Sequence, residues 1–253
     1  MVELPNIFDF YNYSFMELGV GASPNNKLYE FYHKLAKKQT CQSIIEIGYG
    51  TGKLTKILLD SQLKVVAIDK STKSKEFLEK KCNASIQSGD LLIHNCDILE
   101  FDSAEKFDLI IAVDEFISHF LSEFEINRFL NKINNLLTNN GAFITDIRLD
   151  YDSDFNHVTQ YPLFTFVENI NGVKYINCSS WKILTDDKII FIHYKFEELD
   201  ESGTIIKSYI RILKHGKISF DVLKRSAIKN NLSLHIKTQN NLNCIILKFI
   251  KKI

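Results

Sequence analysis

Apolar and polar positions along this chain follow two different rhythms. Between residues 25 and 150, short apolar runs of strand length are interleaved with segments whose apolar positions recur at helical spacing. Leu28, Phe31, Tyr32 and Leu35 mark a helix over 25–38. Apolar runs at 44–47, 64–68, 91–95, 107–113 and 142–147 predict strands, with helices at 53–60, 72–81 and 122–137 and a turn at Asn139-Asn140-Gly141. Alternation of this kind predicts an α/β fold: a doubly wound, mainly parallel sheet with helices on both faces. After residue 150 the period drops to two. Extended runs at 165–170, 173–178, 180–184, 188–198 and 204–213 are separated by turns such as Asn171-Gly172 and Glu201-Ser202-Gly203, the pattern of consecutive antiparallel hairpins. A helix at 219–230 and a closing strand at 242–250 complete the chain.

In open parallel sheets, ligands bind beyond the carboxyl ends of the strands. Gly48, Asp69, Asp97 and Asp114 all fall at predicted strand ends. The first of these ends is the most informative. The buried-strand pattern 44–47 runs directly into Gly48, Gly50 and Gly52, and a helix follows from Lys53. Glycines there permit positive φ and close approach of a ligand to bare backbone. Amides at the helix start suit a carboxylate or phosphate. The spacing excludes two familiar cofactor loops. Position 53 is Lys, so the dinucleotide pattern G-x-G-x-x-G is broken. A P-loop needs a glycine where Ile47 stands and Ser or Thr where Leu54 stands.

The remaining pattern, E-x-G-x-G-x-G over Glu46 to Gly52, resembles the first motif of class I S-adenosylmethionine-dependent methyltransferases. Asp69, seventeen residues beyond Gly52, ends the second strand, where a carboxylate can accept both ribose hydroxyls; the alternative is a cap on the helix starting near Ser71. The resemblance implies a seven-stranded Rossmann-like methyltransferase sheet. The antiparallel run inserted before the last helix narrows the likeness to small-molecule N-methyltransferases of the glycine and amino-sugar kind, whose strand-to-helix step resembles Gly216 to Arg225. On this reading the chain divides into an N-terminal lid segment (1–24), a donor-binding core (25–150), an antiparallel cap over the substrate site (151–213) and a C-terminal helix and strand completing the sheet (214–253).

The same resemblance implies the donor contacts. The methionyl end lies against Gly48, Tyr49, Gly50 and Gly52, with Glu46 organising the loop or touching the ligand. Asp69 and Lys70 meet the ribose. Asp97 and Ile98 meet the adenine, and Asp97 is preferred to Asp90 because it ends an apolar run whereas Asp90 precedes one. Val113 closes the fourth strand beside the donor. Family members carry Gly-Asn-Ser-Phe-x-His-Leu at this point; this chain has Val113-Asp114-Glu115-Phe116-Ile117-Ser118-His119-Phe120, so His119 and the apolar positions match and the two carboxylates do not. Catalytic candidates are His119, as general base or packed histidine, Glu115, as ligand of a cationic acceptor or as helix cap, and Tyr13. Tyr11 and Tyr13 lie in an aromatic N-terminal run that either folds over the donor or anchors a terminal helix.

Composition narrows the field further. The 31 basic and 31 acidic residues cancel, so no global field draws in nucleic acid or membrane. No apolar run approaches a membrane span, and the N-terminus lacks the features of a signal peptide. Five cysteines with no C-x-x-C pattern read as reduced thiols, consistent with a cytoplasmic protein, and no clustered Cys/His pattern calls for a metal. The expected function is methyl transfer from S-adenosyl-L-methionine, leaving S-adenosyl-L-homocysteine, to a small-molecule amine or heterocyclic nitrogen, by a monomer or homodimer. O-methylation and ligand binding without catalysis are the alternatives. Calorimetry should show binding of S-adenosylmethionine or S-adenosylhomocysteine and none of NAD; the reverse pattern would refute the resemblance.

Overall fold

The parallel order of the core is set by buried apolar strands joined by crossovers, which are helical except for the helix-free loop 95–106. The computed structural model describes residues 26–38, 43–148, 163–168, 174–183, 189–239 and 244–252. The proposed lid segment, with Tyr11 and Tyr13, lies outside the described residues, as does the turn at Asn171-Gly172. The elements begin with α1 (Asn26–Lys38), β1 (Ser43–Ile47), α2 (Lys53–Leu59), β2 (Lys64–Ile68), α3 (Thr72–Lys81), α4 (Asn83–Gln87) and β3 (Leu91–His94). They continue with β4 (Phe107–Ala112), a 3-10 turn (Phe116–His119), α5 (Glu123–Leu136) and β5 (Leu137–Arg148). A second sheet holds β6 (Leu163–Glu168), β7 (Lys174–Ile183), β8 (Ile189–Leu199) and β9 (Ile205–Gly216), and α6 (Phe220–Lys229), β10 (Leu232–Gln239) and β11 (Cys244–Lys251) return to the first.

The main sheet has seven strands in the order β10-β11-β5-β4-β1-β2-β3. The five strands β3, β2, β1, β4 and β5 are parallel, and β11 runs antiparallel between β5 and β10. This is the doubly wound, mainly parallel sheet expected, with the inserted antiparallel sheet β6-β7-β8-β9 beside it. Alternation along β1 sends Ile44 and Glu46 to one face and Ile45 and Ile47 to the other. The first face packs under α1, α2 and α3 through Tyr32, Leu54, Leu58 and Leu78. The second packs under α5 and α6 through Ile126, Phe129, Leu130, Leu223 and Ala227. A side chain such as Phe129, fully buried, contributes about 1.5–3 kcal/mol by leaving water.

Local chemistry explains the boundaries. Ser71, Ser122 and Ser219 accept from the backbone of the helices they begin, and Glu125 completes a capping box with Ser122. Four features depart from the sequence reading. The expected turn at 139–141 lies inside β5, as an irregularity where Asn140 takes φ 68° and the pairing with β4 shifts between Phe107 and Leu109. The two runs either side of Ser179 form one strand, β7, because its ladder to β8 continues unbroken through Ser179 and Ser180. The short helix α4 was not foreseen. Nor was β10 foreseen as an element; its apolar positions 232, 234 and 236 alternate with Ser, His and Lys, as suits an edge strand with one solvated face.

The second sheet is joined tightly to the first. A Cβ at Gly216, the last residue of β9, would lie 2.3 Å from the carbonyl oxygen of Phe120, so strand end and loop meet backbone to backbone. No helix among the described residues is long and apolar enough to cross a membrane. Gly52 carries φ 72°, and a Cβ there would lie 2.4 Å from Leu78 Cδ1. Gly52→Ala is therefore expected to destabilise the fold by about 2 kcal/mol, combining left-handed strain with displacement of Leu78. Urea unfolding checks this; a loss under a few tenths would mean that α2 and α3 separate freely.

Candidate active site

The loop between β1 and α2 turns through three glycines with φ of 70°, 52° and 72° at Gly48, Gly50 and Gly52. Gly48 N–H donates to the Ile68 carbonyl at 2.7 Å and Gly52 N–H to the Tyr49 carbonyl at 2.8 Å, which keeps the loop close to the sheet edge. Gly48 has no room for a side chain, since a Cβ would lie 2.8 Å from the ring of Phe116. Tyr49 is buried. Beneath the loop Glu46 is fully buried and accepts from Thr55 Oγ1 at 2.6 Å, tying β1 to α2. Burial lifts its pKa to about 8; the Thr55 hydroxyl opposes this, and the charges of Asp69 and Asp114 add to it.

Asp69 stands at the end of β2 and serves two elements at once. Its Oδ2 accepts from Gly50 N–H at 3.0 Å and its Oδ1 from Ser71 N–H at 2.9 Å. The carboxylate thus braces the glycine loop against the start of α3, while Ser71 itself is the helix cap. The Ser74 hydroxyl is a third donor to the same carboxylate. Lys70 beside it is exposed. The next strand end is joined to this one by Asn95, whose Nδ2 donates to the Asp69 carbonyl at 3.0 Å. Asp97 follows β3 and closes a turn, its Oδ1 accepting from Leu99 N–H at 3.0 Å, with Ile98 buried between them. Asp90 sits at the opposite, amino end of β3, where its carbonyl accepts from Val65. The geometry therefore keeps Asp97, and not Asp90, on the edge shared with Gly48 and Asp69.

The fourth strand end is the most charged. Beyond the buried Val113, Asp114 and Glu115 take φ of 57° and 60°, two successive left-handed residues that are not glycine. Such backbone costs about 1–2 kcal/mol per residue. Asp114 Oδ2 accepts from Tyr29 OH at 2.7 Å. Glu115 N–H donates to Asp146 Oδ2 at 3.1 Å, and Asp146 Oδ1 accepts from Tyr32 OH at 2.8 Å. Asp114 reaches solvent but is walled in by protein, and this enclosure raises its pKa against the opposing pull of Tyr29 and Lys53. Asp146 is fully buried, and burial together with the Asp114 charge lifts it to about 7.

The 3-10 turn then brings Phe116 over Gly48 and His119 against His215 of β9, with imidazole centres 5.0 Å apart. His215 is buried, its Nδ1 3.9 Å from Glu115 Oε2. Burial, helped by Lys70, lowers His119 to about 4. Its ring is therefore neutral at pH 7 and a weak proton acceptor, closer to the packed histidine than to the general base. Glu115 and His119 each lie against His215 of the second sheet. Tyr29, Asp146 and His215 were not singled out from sequence, and Tyr32 was read only as part of the apolar face of α1. The only local hint was Asp146 interrupting the apolar run 142–147 and two tyrosines three apart on α1. Among the described residues no group of His, Cys, Asp and Glu is arranged to hold a metal.

Four strand ends thus place glycine amides and carboxylates along one edge, with a second cluster of acids at the end of β4. Residues 44–141 match the methyltransferase domain family. The chain is 24% identical over 139 residues to a protein of Geobacillus sp. (strain WCH70) named as a methyltransferase, covering 55% of this chain and 54% of that protein. It is 29% identical over 176 residues to isoflavone-7-O-methyltransferase 8 of Medicago sativa, covering 66% of this chain and 46% of the relative. The chain spans about half the length of the curated relatives it matches. Among solved structures, the sugar N-methyltransferase KedS8 from Streptoalloteichus sp ATCC 53650 superposes with TM-score 0.77 at 14% identity, over 95% of this chain and 93% of that one. The structure of CalS10 with S-adenosylmethionine bound, an amino pentose methyltransferase from Micromonospora echinaspora, gives TM-score 0.73 at 11% identity over 95% and 96%. At these identities the structural likeness is one of fold.

The buried acids generate a prediction about pH. Glu46 and Asp146 hold their protons more tightly folded than unfolded, rising from 4.5 to about 8 and from 3.8 to about 7. Their contribution to stability is fully present below the unfolded values and is lost as pH rises through the folded ones. The ligand-free protein should therefore melt at a falling temperature between pH 5 and 8, measured by calorimetry, and Glu46→Gln should flatten that slope. A melting temperature that climbs over this range would contradict the assignment.

Proposed function

We propose that this chain, built on the core of the class I S-adenosylmethionine-dependent methyltransferases, moves a methyl group from S-adenosylmethionine to a nitrogen of a small molecule. The observation carrying this reading is the shared carboxyl edge: the positive-φ glycine loop, the Asp69 carboxylate and the acid-rich end of β4 lie side by side. In this reading the amides of Gly48 to Gly52, with Tyr49, receive the methionyl end, and Asp69 beside Lys70 receives the ribose. Asp97 and Ile98 meet the adenine, and Val113 walls the site. Glu46 acts through Thr55, holding the loop rather than touching the ligand.

Held there, the donor would supply an electrophilic methyl on a positive sulfur, which an acceptor lone pair would take while the S–C bonding electrons remained on sulfur. The protein's task is alignment and electrostatics, worth about 7–11 kcal/mol when geometry is good. In this reading Glu115 on the acceptor side favours an amine, which attacks through the lone pair of its neutral form and sheds its proton to solvent, whereas a hydroxyl acceptor needs a base. His119, held neutral near pKa 4, is a weak one. This favours nitrogen over the oxygen chemistry in the name of the plant relative. His215 closes the same side from the second sheet, which supports a cap over the acceptor.

Asp69→Ala is expected to weaken S-adenosylhomocysteine binding by about 1.5–3 kcal/mol, through loss of both the ligand contact and the brace on Gly50. Glu115→Gln should leave that affinity within about twofold, since a surface of the acceptor side changes and not the donor side. Calorimetry reads both. Incubation with labelled donor and panels of primary amines, nitrogen heterocycles and phenols should label nitrogen compounds only; labelling confined to phenols would overturn the assignment, and no labelling with tight donor binding would favour a silent ligand-binding protein.

A further inference from the structure

Helix α1 is already held by apolar contacts. Leu28, Tyr29, Tyr32 and Ala36 are buried in the core, with Phe31 and Leu35 packed against it. Phenylalanine at 29 and 32 would serve that packing without placing a hydroxyl out of water. Instead both tyrosines carry hydroxyls into the sheet edge and spend them on carboxylates, Tyr29 on Asp114 at 2.7 Å and Tyr32 on Asp146 at 2.8 Å. Burying acids in this way is unfavourable, and an apolar pair of the same volume would be the less costly core. What the arrangement adds is direction. Asp114 is itself one of the two left-handed residues, and Asp146 accepts the backbone N–H of the other, Glu115. The two ties therefore converge on one strained turn, Tyr29 reaching Asp114 directly across 85 residues of sequence and Tyr32 acting through Asp146, 114 residues from it.

We propose that Tyr29 and Tyr32 are positioning residues, acting through Asp114 and Asp146 to hold the left-handed turn that presents Glu115 and, one turn on, His119. Seating of α1 and the shape of the 114–119 loop become a single event. When the hydroxyls leave, the apolar face of α1 still docks, but Asp114 loses its donor and Asp146 is free to rotate away from Glu115. The turn then relaxes toward ordinary backbone and carries the Glu115 carboxylate out of line with His215. The reading rests on the 114–119 loop being the acceptor side of the site, but the turn itself can be followed without any acceptor.

Hydrogen–deuterium exchange of the intact chain tests this. In Tyr32→Phe, amides of 114–119 should exchange at least about tenfold faster while α1, β4 and β5 stay protected, because local opening needs less free energy than global unfolding. Tyr29→Phe should act on the same amides, and Asp146→Asn, which keeps an acceptor for Glu115 N–H, should restore most of the protection lost in Asp146→Leu. Unchanged exchange at 114–119 in both tyrosine variants would overturn the proposal. So would a uniform rise through α1, β4 and β5, which marks plain loss of packing. Failure here leaves donor binding and methyl labelling as separate measurements, so it is distinct from failure of the methyl-transfer reading.

Discussion

β1 has parallel partners on both sides, β2 and β4, and this constraint governs the rest of the molecule. Parallel neighbours end their ladders together, so every chain leaving β1, β2, β3 and β4 emerges on the same edge. Polar groups that no strand can satisfy accumulate there, and each needs a partner from another crossover. Asp69 supplies one by accepting from Gly50 and Ser71, and Asp146 supplies another by accepting from Glu115 and Tyr32. The sheet edge is thus held by carboxylates that span segments rather than by any single loop.

That solution concentrates negative charge in a protein whose formal charge is zero. Burial raises the proton affinity of Glu46, Asp114 and Asp146, and the Asp114 charge raises that of Glu46 and Asp146 further. A site with this character has a standing preference for positive charge, and it becomes more comfortable when a cation is present. The same acids that make the empty core costly at high pH make it receptive to a positively charged guest. Stability and recognition draw on one set of side chains and pull on them in opposite directions.

The strand, three glycines and helix over 44–59 were legible because every signal there is local: an apolar run, glycines where φ must be positive, and an amphipathic segment beyond. Asp69 and Asp97 were legible as strand ends for the same reason. The ties from Tyr29 and Tyr32 were not, since they join residues 85 and 114 apart and depend on which helix crosses which strand. His215 was hidden just past the period-two run 204–213, and only the position of β9 against the 116–119 turn gives it meaning. Ser179-Ser180 looked like a break, yet the ladder to β8 carries β7 through it. Asn139-Asn140-Gly141 has turn chemistry, and the fold uses that chemistry for an irregularity within β5 instead.

The meeting of Gly216 with Phe120 has a consequence for anyone who would redesign this protein. A sheet attached to its host by flexible linkers can be exchanged like a cartridge. Here the last residue of β9 rests on the main chain of the loop that follows β4, so closely that a Cβ at 216 would lie 2.3 Å from the Phe120 carbonyl oxygen. A graft that alters β6, β7 and β8 leaves this joint untouched, whereas one that replaces residue 216 must reshape the loop bearing His119 as well. The seam between the two sheets is a weld, and chimeras should be cut upstream of it.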